Sequence, residues 1–213
     1  MKQYKNIVWD WNGTLLDDKN TGVNTLNRML EKRKLKTLSL ENYRDVFGFP
    51  VEDFYRRVGF DLQKETLHDI SVDFVDTYDI FAEGIGLNPG VRETLDALQK
   101  AGIRQYILSA LREDLLSQMV KDFNIGRYFF QVCGSDNIYA AGKIERGKRM
   151  VEKYGICPEE TLMIGDTTHD AEVAEALGFG KLLYTGGHNS EWRLLEKGDV
   201  IQGMECIPDL LLN

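Results

Sequence analysis

The chain has 213 residues, 43% apolar and 28% charged, a composition that supports one sizeable core with a smaller lobe and excludes a disordered chain. A formal charge of -8 argues against nucleic acid or an anionic membrane surface as partner, while a local basic pocket for a small anion remains compatible with it. Cys133, Cys157 and Cys206 are odd in number and far apart, which points away from a disulfide framework or a zinc site. A reducing compartment fits that cysteine usage, and with neither a targeting segment nor an apolar run of membrane-spanning length the chain reads as cytoplasmic.

The first predicted element is a short apolar strand, Asn6 to Asp10. It hands over to a Gly13-Thr14 turn, so Asp10 sits where a parallel strand presents a side chain beside free backbone N–H groups. Trp9 and Trp11 alternate to the side opposite Asp10, which predicts packing. Residues 17–85 then lose the strand pattern. Val23, Leu26 and Leu30, and later Leu67, Ile70, Phe74 and Tyr78, recur at helical spacing with no convincing strand between them. This predicts a helical insertion that returns through Glu83-Gly84-Ile85-Gly86, whose glycines suit a hinge. Next comes PGVRETLDALQKAG, a helix with Val91, Leu95 and Leu98 on one face, Asn88 as its cap, Pro89 in its first turn and Gly102 as its stop. Buried strands follow at Gln105 to Ala110, Tyr128 to Gly134, Thr161 to Asp166 and Lys181 to Thr185, with a weaker one at Asp199 to Gln202. Such alternation predicts an α/β, Rossmann-like core, residues 1–16 and 86–213, with a mostly parallel sheet and helices on both faces. Residues 17–85 form the inserted all-helical cap domain.

Three aspartates carry the chemistry. Asp10, at a strand end, is a candidate nucleophile for phosphorus, although a lone aspartate there serves as readily to cap a turn. Asp166 and Asp170, at the end of a later strand and in its loop, would repel Asp10 unless a cation lay among them, and magnesium suits an all-oxygen site. Ser109 ends another strand ahead of a helix expected from about Arg112, so its hydroxyl and the following N–H groups suit either a phosphoryl oxygen or a helix cap. Lys143, in AAGKIERGK, and Lys148 compete as the cation that neutralises charge on a transferred group.

The order of NIVWDWNGTLLDD, the serine, the lysine and GDTTHD, together with the inserted helices, resembles the haloacid dehalogenase-like superfamily over nearly the whole chain. LNPGVRETLDALQKAGI and GICPEETLMIGDTTHDAEVAEALGF are similar to its phosphoglycolate phosphatase-like group. The resemblance implies a Mg2+-dependent phosphatase with Asp10 as nucleophile. It ranks Lys143 above Lys148, gives the metal to Asp10, the Asn12 backbone carbonyl, Asp166 and Asp170, and places phosphate against Gly13, Ser109, Ala110 and Lys143. Ala110 and Ile144 depart from the group's usual asparagine and proline, which bears on substrate contacts.

Asn12 is the larger departure, because the superfamily's first motif usually reads Asp-x-Asp-Gly-Thr and its phosphatases use the second aspartate as general acid and base. An amide does neither, and positioned acid–base catalysis is typically worth about 10²- to 10⁴-fold. The expectation is a slow or selective phosphatase of a small phosphorylated metabolite, favouring good leaving groups and accelerated by Asn12→Asp. The alternative is a non-catalytic protein that binds a phosphorylated ligand. Arg44, Arg56 and Arg57 are candidate contacts for an anionic tail, Phe47-Gly48-Phe49-Pro50 for a loop over the site, and His169 and His188 are read as loop residues. Monomer is the expected state, with a cap-mediated homodimer as the alternative.

Overall fold

The structure, a computed structural model, describes residues 4–140 and 142–212. Among these, six strands form one wholly parallel sheet: β1 (Asn6–Trp9), β4 (Arg104–Arg112), β5 (Phe129–Ser135), β6 (Thr161–Gly165), β7 (Gly180–Tyr184) and β8 (Val200–Ile201). Their spatial order is β5-β4-β1-β6-β7-β8. All four residues of β1 are buried, as a central strand covered on both faces requires. Trp9 pairs with Ile107 on one side and Ile164 on the other, so the strand order reverses at β1, where open α/β sheets bind ligands.

Alternation along β1 divides the core. Ile7 and Trp9 face a cluster that includes Val91, Leu95 and Leu98 of α5 (Val91–Lys100) and Leu116 and Val120 of α6 (Glu113–Asp122). Val8 faces Met150 of α7 (Lys143–Tyr154) and Val173, Ala174 and Leu177 of α8 (Thr168–Leu177). Helices therefore cover both faces. Trp9 and Trp11 lie in the first cluster, and the Trp9 Nε1–H donates to Gln105 Oε1 at 3.1 Å.

Residues 17–85 hold α1 (Lys19–Lys32), α2 (Leu40–Val46), α3 (Val51–Arg57) and α4 (Leu67–Phe81), packed around their own cluster, which includes Leu26, Met29, Leu30, Tyr43, Phe54 and Ile70. Thr66 and Asp69 close a capping box at the start of α4, satisfying N–H groups that the first helical turn leaves over. Where this lobe joins the core, β2 (Leu16–Asp17) pairs antiparallel with β3 (Gly86–Leu87), so the expected glycine hinge contains a short two-stranded neck.

Asn88 does not cap α5. Gly90 holds the cap position with φ 77°, and the Asn88 amide donates to the carbonyls of Thr14 at 2.8 Å and Gly13 at 3.2 Å. It pins the turn that follows Asp10. No helix among the described residues is long and apolar enough to cross a membrane.

Candidate active site

The backbone N–H of Asp10 donates to Ile164 O at 2.9 Å, which fixes the end of β1 against β6 and brings Asp10 beside Asp166. Asp170 comes from the first turn of α8, where it closes a capping box with Thr167. It thus caps a helix and also faces the site. Asp10, Asp166 and Asp170 are all buried, and each offers an oxygen within 4.8 Å of those of the other two.

Lys143, the first residue of α7, reaches into this group. Its Nζ donates to Asp10 Oδ1 at 2.5 Å and Asp170 Oδ1 at 2.6 Å. Burial alone would lower the ammonium pKa, but the two carboxylates outweigh it and leave it raised. Lys148 lies on the surface, paired with Glu145 at 2.8 Å. Burial pushes the Asp10 carboxyl up while Lys143 pulls it down. Burial likewise lifts Asp166 to about 6, against the pull of His188. One ammonium cannot balance three buried carboxylates, so the donor set fits a hard divalent cation with oxygen ligands.

Backbone shape makes room for this cluster. Gly13 has φ 76°, and a Cβ there would lie 2.2 Å from Asp166 Oδ2, so position 13 accepts only glycine. Thr14 Oγ1 donates to Asp166 Oδ1 at 2.8 Å. Ser109 and Ala110 lie where β4 bulges between its Leu108–Cys133 and Arg112–Ser135 pairs, at the end of the sheet that carries Asp10. The strand thus runs on to Arg112 and α6 starts one residue later than expected. Arg146, one turn beyond Lys143, donates to Ser109 O at 3.1 Å and fastens the bulge to α7.

His188 is not a bystander of its turn. It is 5% exposed, its backbone N–H donates to Asp166 Oδ2 at 2.6 Å, and its ring joins Asp18 Oδ1 at 3.1 Å and the Tyr43 hydroxyl at 2.9 Å. Burial would lower its pKa, yet Asp18 raises it to about 9. Asp18 shows the reciprocal effect: burial would raise the carboxyl, and His188, together with hydrogen bonds from Asn12 and Tyr78, holds it down. Only partners 170 positions apart in the chain reveal this pair.

Arg44, Arg56 and Arg57 each have partners within the protein. Arg44 donates to the carbonyls of Thr185 and of Asn189, the latter at 2.9 Å, tying the lobe to the loop after β7. Arg56 pairs with Glu52 and Asp53, and Arg57 donates to Val46 O. His169 lies in the first turn of α8 rather than in a loop, and Phe49 stacks on it with ring centroids 4.7 Å apart, so the Phe47–Pro50 loop does reach the helical turn that bears Asp170.

Residues 7–182 match the family model described as haloacid dehalogenase-like hydrolase. Among curated relatives, the phosphoglycolate phosphatase of Pseudomonas syringae pv. tomato is 27% identical over 195 residues, covering 87% of this chain and 71% of that protein. A predicted phosphatase from Clostridium acetobutylicum superposes with a TM-score of 0.80 at 19% identity, covering 99% of both chains. A haloacid dehalogenase-like family protein from Streptococcus pneumoniae gives 0.81 at 22% identity, again covering 99% of both. Strand order, the carboxylate cluster at its reversal and the family match lead to one conclusion: the chain belongs to the haloacid dehalogenase-like hydrolases.

Proposed function

We propose that the chain is a magnesium-dependent phosphatase of a small phosphorylated metabolite that works through an aspartyl-phosphate on Asp10 and is slow or selective because of Asn12. The observation that carries this reading is the Lys143 ammonium bridging Asp10 and Asp170 beside Asp166, at the point where the strand order reverses. The Pseudomonas phosphoglycolate phosphatase relative supports the reaction class.

A carboxylate oxygen of Asp10 attacks phosphorus, the P–O bond to the leaving group breaks, and the departing oxygen leaves with the bonding electron pair and takes its proton from solvent water. Water then attacks the aspartyl-phosphate, releasing inorganic phosphate and restoring the carboxylate. Lys143 holds Asp10 in one orientation and opposes charge on the phosphoryl oxygens, together with the Ala110 N–H and the Ser109 hydroxyl, whereas the Gly13 N–H, expected to face phosphate, is taken by Asp18 Oδ1 at 2.7 Å. Magnesium, when held by Asp10, the Asn12 backbone carbonyl, Asp166 and Asp170, neutralises phosphoryl charge so that an anionic ester can meet an anionic nucleophile. The Asn12 side chain offers no proton for the leaving oxygen. Aryl and acyl phosphates, which depart without one, are the favoured substrates. Residues 17–85 act as a cap that closes over the ester, with the neck at β2 and β3 as its hinge, and the free cysteines fit a cytoplasmic setting.

The deciding experiment is p-nitrophenyl phosphate turnover with Mg2+ for the native protein and Asp10→Asn. Turnover abolished by the substitution is the expected result. Phosphate binding without turnover in the native protein would replace the enzyme with a phospholigand-binding protein.

A further inference from the structure

Asp18 occupies the N-cap position of α1, yet its side chain makes no cap hydrogen bond. It is 2% exposed and turns inward to accept four donors, two on each oxygen. Oδ1 accepts from the Gly13 N–H at 2.7 Å and faces His188 Nε2 at 3.1 Å. Oδ2 accepts from the Asn12 amide at 2.7 Å and from the Tyr78 hydroxyl of α4 at 2.8 Å. The default role of an aspartate before a helix is therefore given up for a contact with position 12 and with the helical lobe.

The donor count has a consequence for position 12. A carboxylate there would face the buried Asp18 carboxylate at a half-buried position with no donor to replace the amide, so the two would repel unless one of them took up a proton. Asn12 is thus complementary to Asp18 rather than a mere deletion of an acid.

We infer that Asp18 is a positioning residue that selects an amide at position 12 and ties it through Tyr78 to the helical lobe, so that position 12 gains acid–base function only when residues 12 and 18 are exchanged together. This rests on the phosphatase reading for its catalytic part; the pairing itself stands on the hydrogen bonds. In the exchanged protein, Asn12→Asp with Asp18→Asn, the amide at 18 donates to the carboxylate at 12, and the hydrogen bond is kept with its direction reversed.

The test is a double-mutant cycle on the full chain, read by thermal midpoint and by kcat/KM for one aryl and one alkyl phosphate with Mg2+. Each single substitution is expected to lower the midpoint, and the exchange to recover a large part of the loss. For the alkyl phosphate, whose leaving group needs a proton, the exchanged protein should exceed the native chain by about tenfold or more, within the range of positioned acid catalysis, with a smaller gain on the aryl ester and none from Asn12→Asp alone. Additive midpoint losses, or a full gain from Asn12→Asp alone, would overturn the inference. Asn12→Ala removes the amide without adding charge, so an Asn12→Asp midpoint well below that of Asn12→Ala supports the pairing even where Asp18→Asn does not fold, and equal midpoints refute it. If neither the native chain nor any variant hydrolyses either ester, the phosphatase reading and the catalytic part fall together, and the midpoint cycle alone decides the pairing.

Discussion

The Lys143 ammonium lies 2.5 Å from Asp10 Oδ1 and 2.6 Å from Asp170 Oδ1, so one cation orients the proposed nucleophile and a proposed metal ligand at once. All three side chains are buried, which makes the contact strong and its loss costly. Lys143→Met leaves two carboxylates facing each other without a counter-charge. Breaking a buried pair from one side typically costs about 3 to 5 kcal/mol. The expected outcome is a stability loss of that order in urea unfolding, with kcat/KM for p-nitrophenyl phosphate down by at least about 10²-fold. Near-native turnover in a folded Lys143→Met protein would remove the lysine from the mechanism.

Metal should stabilise the fold, because Asp10, Asp166 and Asp170 bring three carboxylate oxygens within 4.8 Å. A ligand that binds only the folded state at about 100 times its Kd adds roughly 2.7 kcal/mol. Burial raises the Asp166 carboxyl to about 6 from an ordinary 3.8, so a proton competes with the cation below that pH. The Mg2+-induced rise in thermal midpoint should therefore be small at pH 5, grow as pH passes through about 6, and vanish in Asp166→Asn. A rise that is the same at pH 5 and pH 8 would place the cation elsewhere.

The sheet and the motif aspartates were legible in the sequence because their signals are local: an apolar run ending at Asp10, another ending at Asp166, and helical periodicity between strands. The neck was not, because Leu16–Asp17 and Gly86–Leu87 are two-residue strands, too short to show alternation. Nor were Asp18, Asn88 and His188, whose partners come together only when the chain is folded. Each has an ordinary local role that the sequence favours: a helix cap for Asp18 and Asn88, a turn for His188. The fold withdraws the two side chains from capping and gives those of all three to the turn after Asp10 or to the lobe that packs over it.

Stability should depend on pH through His188 and Asp18. The histidine is raised from 6.5 to about 9 in the folded protein, so its contribution is complete below pH 6.5 and is lost as pH climbs through about 9. Asp18 is lowered from 3.8, so its contribution is present above pH 3.8 and is lost as pH falls below it. The pair stabilises most between those limits. A shift of this size in the histidine corresponds to roughly 3 kcal/mol between pH 6 and pH 10. His188→Gln keeps a side-chain donor but does not titrate, so its unfolding free energy should be lower at pH 6 and should lack the alkaline decline assigned to the pair. A decline of unchanged size in the variant would refute the assignment.

Asn88 offers a test of how the turn after Asp10 is held. Its amide donates to the Thr14 and Gly13 carbonyls at 2.8 and 3.2 Å, and its own backbone N–H donates to Leu15 O at 2.9 Å. Asn88→Ala keeps the backbone bond but strips two buried carbonyls of a donor, a change that typically costs about 1 to 3 kcal/mol. Asn88→Asp is the sharper variant, since a carboxylate of nearly the same shape turns acceptor toward acceptor and should destabilise more than alanine. The catalytic effect follows from position rather than from chemistry. The Thr14 hydroxyl that contacts Asp166 at 2.8 Å rides on this turn, so its loosening should lower kcat more than it raises KM for p-nitrophenyl phosphate. An Asn88→Ala protein that loses stability but keeps its kcat would mean the turn is held well enough by Gly13, Thr14 and the β2–β3 neck without this clamp.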